Sequence, residues 1–224
     1  MKTDNPGPPR DTPSPVRNRG FESNTYLLPL GDSLECVVVD PGLDHEAVGD
    51  EIIRRNLRPV AVLCTHGHFD HVGGAAALQE AYGIPVYMRA SDRKTAQMAN
   101  FMMMAFKIDH RVRMPDFELI ADDALSIDCA GREFVFHSVP GHTPGSAAIE
   151  FEGLLFSGDS LYARKIALSR LPGEDHATLR RSLKNLFTRI DHRVLVLPGH
   201  GGGSTLGDIL QYNDELNAFL RQAD

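Results

Sequence analysis

The sequence predicts an α/β protein built as a four-layer αββα sandwich, on the basis of two observations. From Phe21 onward, short apolar runs alternate with turn residues and with stretches of helical periodicity. In each half of the chain strands come first and helices follow, which favours two similar halves whose sheets pack face to face with helices outside. A chain of 224 residues is long enough for one domain with a substantial core.

The first half of the chain opens with a hairpin of two apolar runs. Asp44 is the expected N-cap of the helix that follows, and Val48, Ile52 and Ile53 are expected on its inner face. The elements expected here are strands at 24–30 and 34–39, a helix at 45–56, a strand at 60–64, a helix at 74–82 and a strand at 84–88.

The middle of the chain predicts a helix over 91–106 with an apolar end. Ser91 is its expected N-cap, and the helix ends in the run 101–106, which contains Met102, Met103 and Met104. Three adjacent methionines point around more than one helical face and adapt readily to irregular contacts. The run is consistent with a substrate-pocket wall, a lid, a homodimer contact or plain core filling.

The second half returns to strands and closes with helices. The expected elements are strands at 124–127, 133–139, 147–151 and 154–156, a helix at 177–190, a strand at 193–197 and a helix at 206–221.

The first twenty residues differ from the rest of the chain. Residues 1–20 contain five prolines and few apolar side chains, so we predict a disordered N-terminal tail. The domain is then expected to cover residues 21–224.

Composition excludes several classes of function. The net charge of −7 and the absence of a long basic stripe argue against nucleic acid as a partner. No apolar stretch reaches membrane-spanning length, and the N-terminus lacks the apolar core of a signal peptide, so no membrane partner is expected. Cys36, Cys64 and Cys129 all lie in or beside apolar runs, which predicts buried free thiols in a reducing, cytoplasmic compartment.

The most informative stretch is Thr65-His66-Gly67-His68-Phe69-Asp70-His71. It places three imidazoles and a carboxylate within six residues, directly after an apolar run that predicts a buried strand. A loop at the end of a strand can wrap such side chains around a metal ion. Imidazole and carboxylate suit zinc or iron, so the stretch predicts a metal site.

Three later motifs each place one more potential ligand at the end of a predicted strand. His142 lies in Pro-Gly-His-Thr-Pro-Gly-Ser, Asp159 in Phe-Ser-Gly-Asp-Ser, and His200 in Pro-Gly-His-Gly. The flanking glycines let backbone approach closely. Each motif is weak by itself, but together with the opening stretch they predict a metal cluster.

These motifs resemble the metallo-β-lactamase superfamily, and in detail the short single-domain members of its glyoxalase II branch (hydroxyacylglutathione hydrolases). Residues 65–74 match the pattern T-H-x-H-x-D-H-x-G-G, residues 141–146 match G-H-T-P-G-S, and residues 158–162 match G-D-[ST]-L-[FY]. The match is completed by L-P-G-E-D at residues 171–175 and P-G-H-G at residues 198–201. The resemblance covers residues 21–224. It implies an αββα sandwich of two mixed β-sheets with a two-metal site at one edge.

The resemblance also implies the ligand set and its chemistry. His66, His68 and His142 would hold the first metal, Asp70, His71 and His200 the second, and Asp159 would bridge them. Two divalent ions are implied, zinc first, with iron and manganese as alternatives. Such metals make hydroxide available at neutral pH for attack on an acyl carbonyl.

Three further residues receive expected roles. Asp70 would orient the attacking hydroxide and accept its proton. Tyr162 is a candidate donor to the developing oxyanion, with packing at the strand exit as the alternative. Asp40 would fix a ligating imidazole from behind.

The resemblance implies a small-molecule acyl thioester as substrate. Lactone or ester hydrolysis is the near alternative, and a mono-iron persulfide dioxygenase is the alternative in another class. Short relatives often carry G-S-I-G-R-T-D after the bridging aspartate, whereas residues 164–170 lack that arginine and aspartate. Arg164, Lys165 and Arg170 fit either another anionic thiol carrier or a solvated loop.

Overall fold

Two six-stranded β-sheets pack face to face in a computed structural model that describes residues 13–122, 126–169 and 171–222. Helices cover both outer faces, so the predicted four-layer αββα sandwich is confirmed. The strands are β1 (Ser14–Asn18), β2 (Ser23–Pro29), β3 (Glu35–Val39), β4 (Arg58–Leu63), β5 (Val86–Arg89), β6 (Phe117–Ile120), β7 (Ser126–Cys129), β8 (Arg132–Ser138), β9 (Ala147–Phe151), β10 (Leu154–Gly158), β11 (Leu195–Pro198) and β12 (Ser204–Thr205). The helices are α1 (His45–Arg54), α2 (Phe69–Val72), α3 (Ala75–Tyr82), α4 (Arg93–Gln97), α5 (Ala99–Ala105), α6 (His176–Phe187), α7 (Leu206–Tyr212) and α8 (Asp214–Leu220).

Both sheets are mixed. The first has the order β1-β2-β3-β4-β5-β6, with antiparallel pairing up to β3 and parallel pairing beyond it. The second has the order β12-β11-β10-β9-β8-β7, in which only β10 and β11 are parallel.

Strand alternation separates the core into layers. Val37 and Val39 of β3 point between the sheets, whereas Val38 points outward against α1 and α3. The inner layer also contains Phe134, Phe136 and Phe156 of the second sheet, so aromatic side chains fill the space between the sheets. The outer face of the second sheet packs on α6, α7 and α8.

The prediction of a disordered tail over residues 1–20 is wrong for its last part. Residues 1–12 lie outside the described residues, but Ser14–Asn18 form β1, which pairs antiparallel with β2. An edge strand is hydrogen-bonded on one side only and therefore tolerates Pro15. The Asn18 amide donates to the hydroxyls of Ser23 and Thr25 at 3.0 Å each, which anchors the end of the strand.

Several element boundaries also differ from the sequence expectation. Asp44 makes no side-chain cap on α1, because its carboxylate accepts the backbone N–H of Arg19 instead. Ile53 is 74% exposed rather than inward-facing, while Val48 and Ile52 are buried as expected. The strand β6 was not expected at all, and of the strand expected at 124–127 only residues 126 and 127 are described, at the start of β7.

The two long predicted helices are broken. The segment 91–106 forms a short 3₁₀ turn (Ala90–Asp92) followed by α4 and α5, and Ser91 bonds to Asp122 instead of capping. The C-terminal helix is interrupted at Asn213, whose side-chain oxygen caps α8 at Leu216 N. Within the described residues, no helix is both long and apolar enough to cross a membrane.

Candidate metal centre

The expected ligands lie at one edge of the sandwich, on loops that follow the carboxyl ends of four strands. β4 leads into His66 and His68, β8 into His142, β10 into Asp159 and β11 into His200. β10 and β11 are parallel, and β8 runs in the same direction because two antiparallel pairings separate it from β10. Both sheets therefore deliver side chains to the same edge.

The first loop combines an extended segment with one turn of helix. His66 and His68 precede α2, and His68 has extended torsions of φ −70° and ψ 148°. Asp70 and His71 lie on α2 itself. A Cβ at Gly67 would come within 2.7 Å of a backbone nitrogen of α4, so this close approach requires glycine.

Three imidazoles converge to form what we call the three-histidine group: His66, His68 and His142. Nδ1 of His68 lies 3.2 Å from Nε2 of His66 and 3.0 Å from Nε2 of His142. All three side chains are buried. Three ring nitrogens directed at one point form a donor set for a metal ion.

Two carboxylates and two imidazoles form the adjacent mixed group: Asp70, His71, Asp159 and His200. Nε2 of His200 lies 3.3 Å from Oδ2 of Asp70 and 3.2 Å from Oδ2 of Asp159. Nε2 of His71 lies 3.4 Å from an oxygen of each carboxylate. Asp159 also approaches the three-histidine group, because its Oδ2 is 3.7 Å from Nε2 of His142.

Buried polar atoms without partners test whether a metal fits these residues. Nε2 of His71 and Oδ1 of Asp159 face the cluster, are buried and make no hydrogen bond. An unpaired buried polar atom costs about 1–3 kcal/mol, so two of them at one place need a compensating partner. Divalent cations supply that partner for an imidazole and carboxylate donor set, and the residues present fit them.

Two imidazoles of the three-histidine group, those of His66 and His68, are held neutral. Burial lowers the pKa of His68 to about 4, assisted by the neighbouring His142. Burial also lowers the pKa of His66 well below its ordinary value, and His71 adds to the effect. A neutral imidazole keeps the lone pair that a metal ligand needs.

The mixed group has the opposite electrostatics. Burial disfavours the charged form of His200, but hydrogen bonds to Asp159 and Asp70 outweigh burial and raise its pKa to about 9. The same carboxylates, together with Asp40, raise the pKa of His71 well above its ordinary value against the effect of burial. The protons on His200 and His71 thus neutralise the negative charge of the carboxylates, which a bound cation would otherwise neutralise.

Asp40 contacts a candidate ligand from behind, as expected. Its Oδ2 lies 2.9 Å from Nδ1 of His71 and accepts the hydroxyl of Thr65 at 2.7 Å, while its Oδ1 accepts the Thr65 N–H. A carboxylate at Nδ1 fixes the proton there and leaves Nε2 of His71 facing the cluster. Asp40 has a φ of 51°, a conformation that aspartate adopts more readily than most residues.

Asp92 is a contributor that sequence reasoning missed. Its buried carboxylate accepts the backbone N–H groups of Gly67 at 2.6 Å and Gly145 at 2.8 Å, and the Thr143 hydroxyl at 2.8 Å. Gly67 lies between two candidate ligands and Thr143 follows His142. One carboxylate therefore ties together the two loops of the three-histidine group.

Tyr162 lies beside the cluster, buried, on the segment after Asp159. Burial and then the Asp159 carboxylate raise its pKa well above the ordinary value, so the phenol keeps its proton and can donate it in a hydrogen bond. Lys165 lies with Nζ 5.5 Å from the centroid of the Tyr162 ring. The buried Asn213 amide donates to the carbonyls of Tyr162 and Lys165 at 3.0 Å each and fixes this segment.

Two of the three cationic side chains that could bind an anionic thiol carrier lie beside the candidate metal centre. Arg164 and Lys165 line an open groove of about 690 Å³ that also reaches Tyr162 and His200. Arg170 lies outside the described residues.

The sequence model of the metallo-beta-lactamase superfamily matches residues 18–200. The chain belongs to this superfamily. The match spans every candidate ligand described above.

Known members of the superfamily resemble this chain over most of its length. A probable metallo-hydrolase, YqgX of Bacillus subtilis, is 32% identical over 89% of this chain and 93% of its own. A hydroxyacylglutathione hydrolase of Anaeromyxobacter dehalogenans is 34% identical over 82% of this chain and 63% of its own.

Solved structures of superfamily members agree with the fold. The BLEG-1 B3 metallo-beta-lactamase has a TM-score of 0.82 at 31% identity, covering 91% of this chain and 99% of its own. TTHA1623 in a di-iron-bound form has a TM-score of 0.78 at 32% identity, covering 90% of this chain and 98% of its own. Membership in a superfamily composed mostly of hydrolases, together with the His/Asp cluster, supports a metal-dependent hydrolase that acts on a small molecule.

Proposed function

We propose that the chain is a thioester hydrolase that works with two divalent metal ions. His66, His68 and His142 would hold one ion, Asp70, His71 and His200 the other, and Asp159 would contact both. The observation that carries the proposal is the meeting of the two groups at Asp159, which lies within 3.7 Å of imidazoles from each. The donor set suits zinc and also iron, the metal in one similar solved structure.

The residues of the chain divide the chemical work. When bound, such ions lower the pKa of water from about 15.7 to roughly 7 and polarise a carbonyl oxygen. Asp70 is buried next to the reacting position and accepts the proton of the attacking water at its carboxylate. The protonated phenol of Tyr162 donates to the oxyanion that develops on the acyl carbon.

Two observations favour a thioester among acyl substrates. One similar protein is a hydroxyacylglutathione hydrolase, and the motifs at 158–162 and 171–175 are those of that branch. The groove lined by Arg164 and Lys165 opens beside Tyr162 and fits an anionic thiol carrier. The carrier would lie in this groove with its sulfur directed at the centre.

A lactam hydrolase is the second candidate, because BLEG-1 is a B3 metallo-beta-lactamase and covers nearly the whole chain. Lactone or ester cleavage would use the same catalytic residues, with oxygen instead of sulfur as the leaving atom. A mono-iron persulfide dioxygenase would need one ligand set only, and this chain brings two together.

Metal analysis joined to a substrate panel tests the proposal. The purified protein should carry close to two equivalents of metal and cleave glutathione, coenzyme A or simple thiol thioesters faster than lactones or a β-lactam. Asp70→Ala should remove turnover, whereas Asp50→Ala, which changes an exposed carboxylate of α1, should retain it. One iron with oxygen consumption on a persulfide, or preferential lactam cleavage, would overturn the thioesterase proposal.

A further inference from the structure

An aromatic cluster lies directly beside the candidate metal centre. The rings of Phe21 and Phe69 have centroids 5.0 Å apart, and Phe106 lies 5.7 Å from Phe21 and 6.0 Å from Phe69. The three rings come from the chain before β2, from α2 and from the end of α5. Phe69 stands between two candidate ligands in the sequence, so the cluster and the centre share one loop.

The rings form one wall of a cavity of about 260 Å³. The floor of the cavity is made by candidate ligands, including His68, Asp70 and His142. The large apolar side chains of its walls are Phe21, Phe69, Met102, Phe106, Leu168 and Leu171.

Two of the wall residues are unusually exposed for their type. Phe106 is 46% exposed and Leu168 is 40% exposed, and both line this cavity. Exposed apolar side chains that line a cavity gain free energy when an apolar ligand covers them.

The walls offer little to a hydroxylated acyl group. The Ser169 hydroxyl lines the cavity but donates to Glu174. Lys165 is the one lysine or arginine that lines the cavity among the described residues, and it also lines the adjacent groove of about 690 Å³. Lys165 therefore lies where the cavity and the groove meet, and Arg164 lines the groove alone.

We propose that this cavity binds the acyl chain of the substrate and selects an apolar chain of about six to eight carbons. The proposal rests on the thioesterase function and names its substrate class. A methylene occupies roughly the volume of a water molecule, about 30 Å³, so the cavity holds at most about eight such groups. The thiol carrier then lies in the groove beside Lys165, which gives the substrate one orientation.

A chain-length series on one small neutral carrier tests the proposal. Straight-chain N-acetylcysteamine thioesters from acetyl to decanoyl, together with 2-hydroxypropanoyl, should give a kcat/KM that rises roughly two- to fourfold per methylene up to six to eight carbons. Phe106→Ser should flatten this dependence. Phe101→Ser makes the same change at a 55% exposed position of α5 outside the cavity and should leave the dependence unchanged.

Binding of the free carboxylates gives a measurement that does not need turnover. Octanoate should raise the melting temperature of the metal-loaded protein more than acetate, in wild type and in Phe101→Ser but not in Phe106→Ser. Thioester cleavage without chain-length dependence, or with preference for the hydroxyacyl group, overturns the proposed selectivity and leaves the thioesterase function standing. Chain-length-dependent binding without thioester cleavage overturns that function and supports the apolar cavity.

Discussion

The three-histidine group and the mixed group are neighbours, but the protein prepares them for a metal in different ways. In the first, burial keeps His66 and His68 neutral, so the lone pairs are available without any change of protonation. In the second, His200 is protonated at neutral pH because two carboxylates surround it. Burial, assisted by neighbouring imidazoles, thus prepares His66 and His68, whereas the carboxylate-rich group exchanges protons for its cation.

The supporting residues differ in the same way. Asp40 contacts the mixed group directly at Nδ1 of His71. Asp92 instead accepts hydrogen bonds from backbone N–H groups of the loops that carry the three histidines. Asp40 therefore orients a side chain of the mixed group, whereas Asp92 positions the loops of the three-histidine group. Substitutions at these two residues should affect the two groups separately.

The largest effect is expected at the residue that the groups share. Asp159→Ala removes the carboxylate between them, so we expect metal content to fall from two equivalents to below one. Loss of metal activation of water corresponds to several kcal/mol and lowers kcat/KM by about a thousandfold or more. Metal analysis and thioester kinetics measure both, with circular dichroism as the control for folding. Retention of two metals would show that Asp159 does not join the groups.

Asp40→Asn is expected to weaken the mixed group alone. Asparagine tolerates the φ of 51° at this position, but its amide N–H₂ toward Nδ1 would push the imidazole proton to Nε2. Substitutions that disturb the partner of a ligating histidine cost roughly 10–100-fold in metal affinity. Competition with a chromophoric chelator measures each site, and Asp50→Asn is the matched exposed control. Equal loss of metal affinity in both groups would contradict the prediction that Asp40 supports the mixed group alone.

Asp92→Ala should have the converse effect. It leaves the buried N–H groups of Gly67 and Gly145 without acceptors and loosens both loops of the three-histidine group. We expect about tenfold weaker binding there, unchanged binding in the mixed group and a lower melting temperature. A lower melting temperature with both metal affinities intact would assign Asp92 a purely structural role.

The sequence predicted where the candidate ligands meet better than it predicted the groups that support them, for a physical reason. His66 to His71 are adjacent in sequence, and strand ends of known direction meet at one sheet edge, so both could be derived from the pattern. Asp92 was hidden because its partners are backbone N–H groups 25 and 53 residues away. The sequence also left the role of the methionine run open. In the structure Met103 is fully buried, Met102 lines the cavity and Met104 is 66% exposed.

The same limit applies to the fold. Alternation located most strands of both sheets but missed β6, and β1 forms in spite of Pro15 because β2 offers a free edge. The break at Asn213 depends on the carbonyls of Tyr162 and Lys165, which accept its amide from another part of the chain. Partners from distant parts of the chain leave no pattern in the local sequence, so these features could not be predicted from it.

The smallest expected effect separates the two groups by pH. His200 has its pKa raised to about 9 and carries a proton at pH 6–8 until a metal displaces it, and the pKa of His71 is raised as well. Affinity in the mixed group should therefore fall at least tenfold for each pH unit lowered. His68, with its pKa lowered to about 4, is neutral throughout that range, and the three-histidine group should show a smaller slope. Zinc titrations at pH 6, 7 and 8 measure the slopes separately when His68→Ala leaves the mixed group and His200→Ala leaves the three-histidine group. Parallel slopes in the two variants would mean that both groups exchange the same number of protons, and the contrast drawn from burial and charge would be wrong.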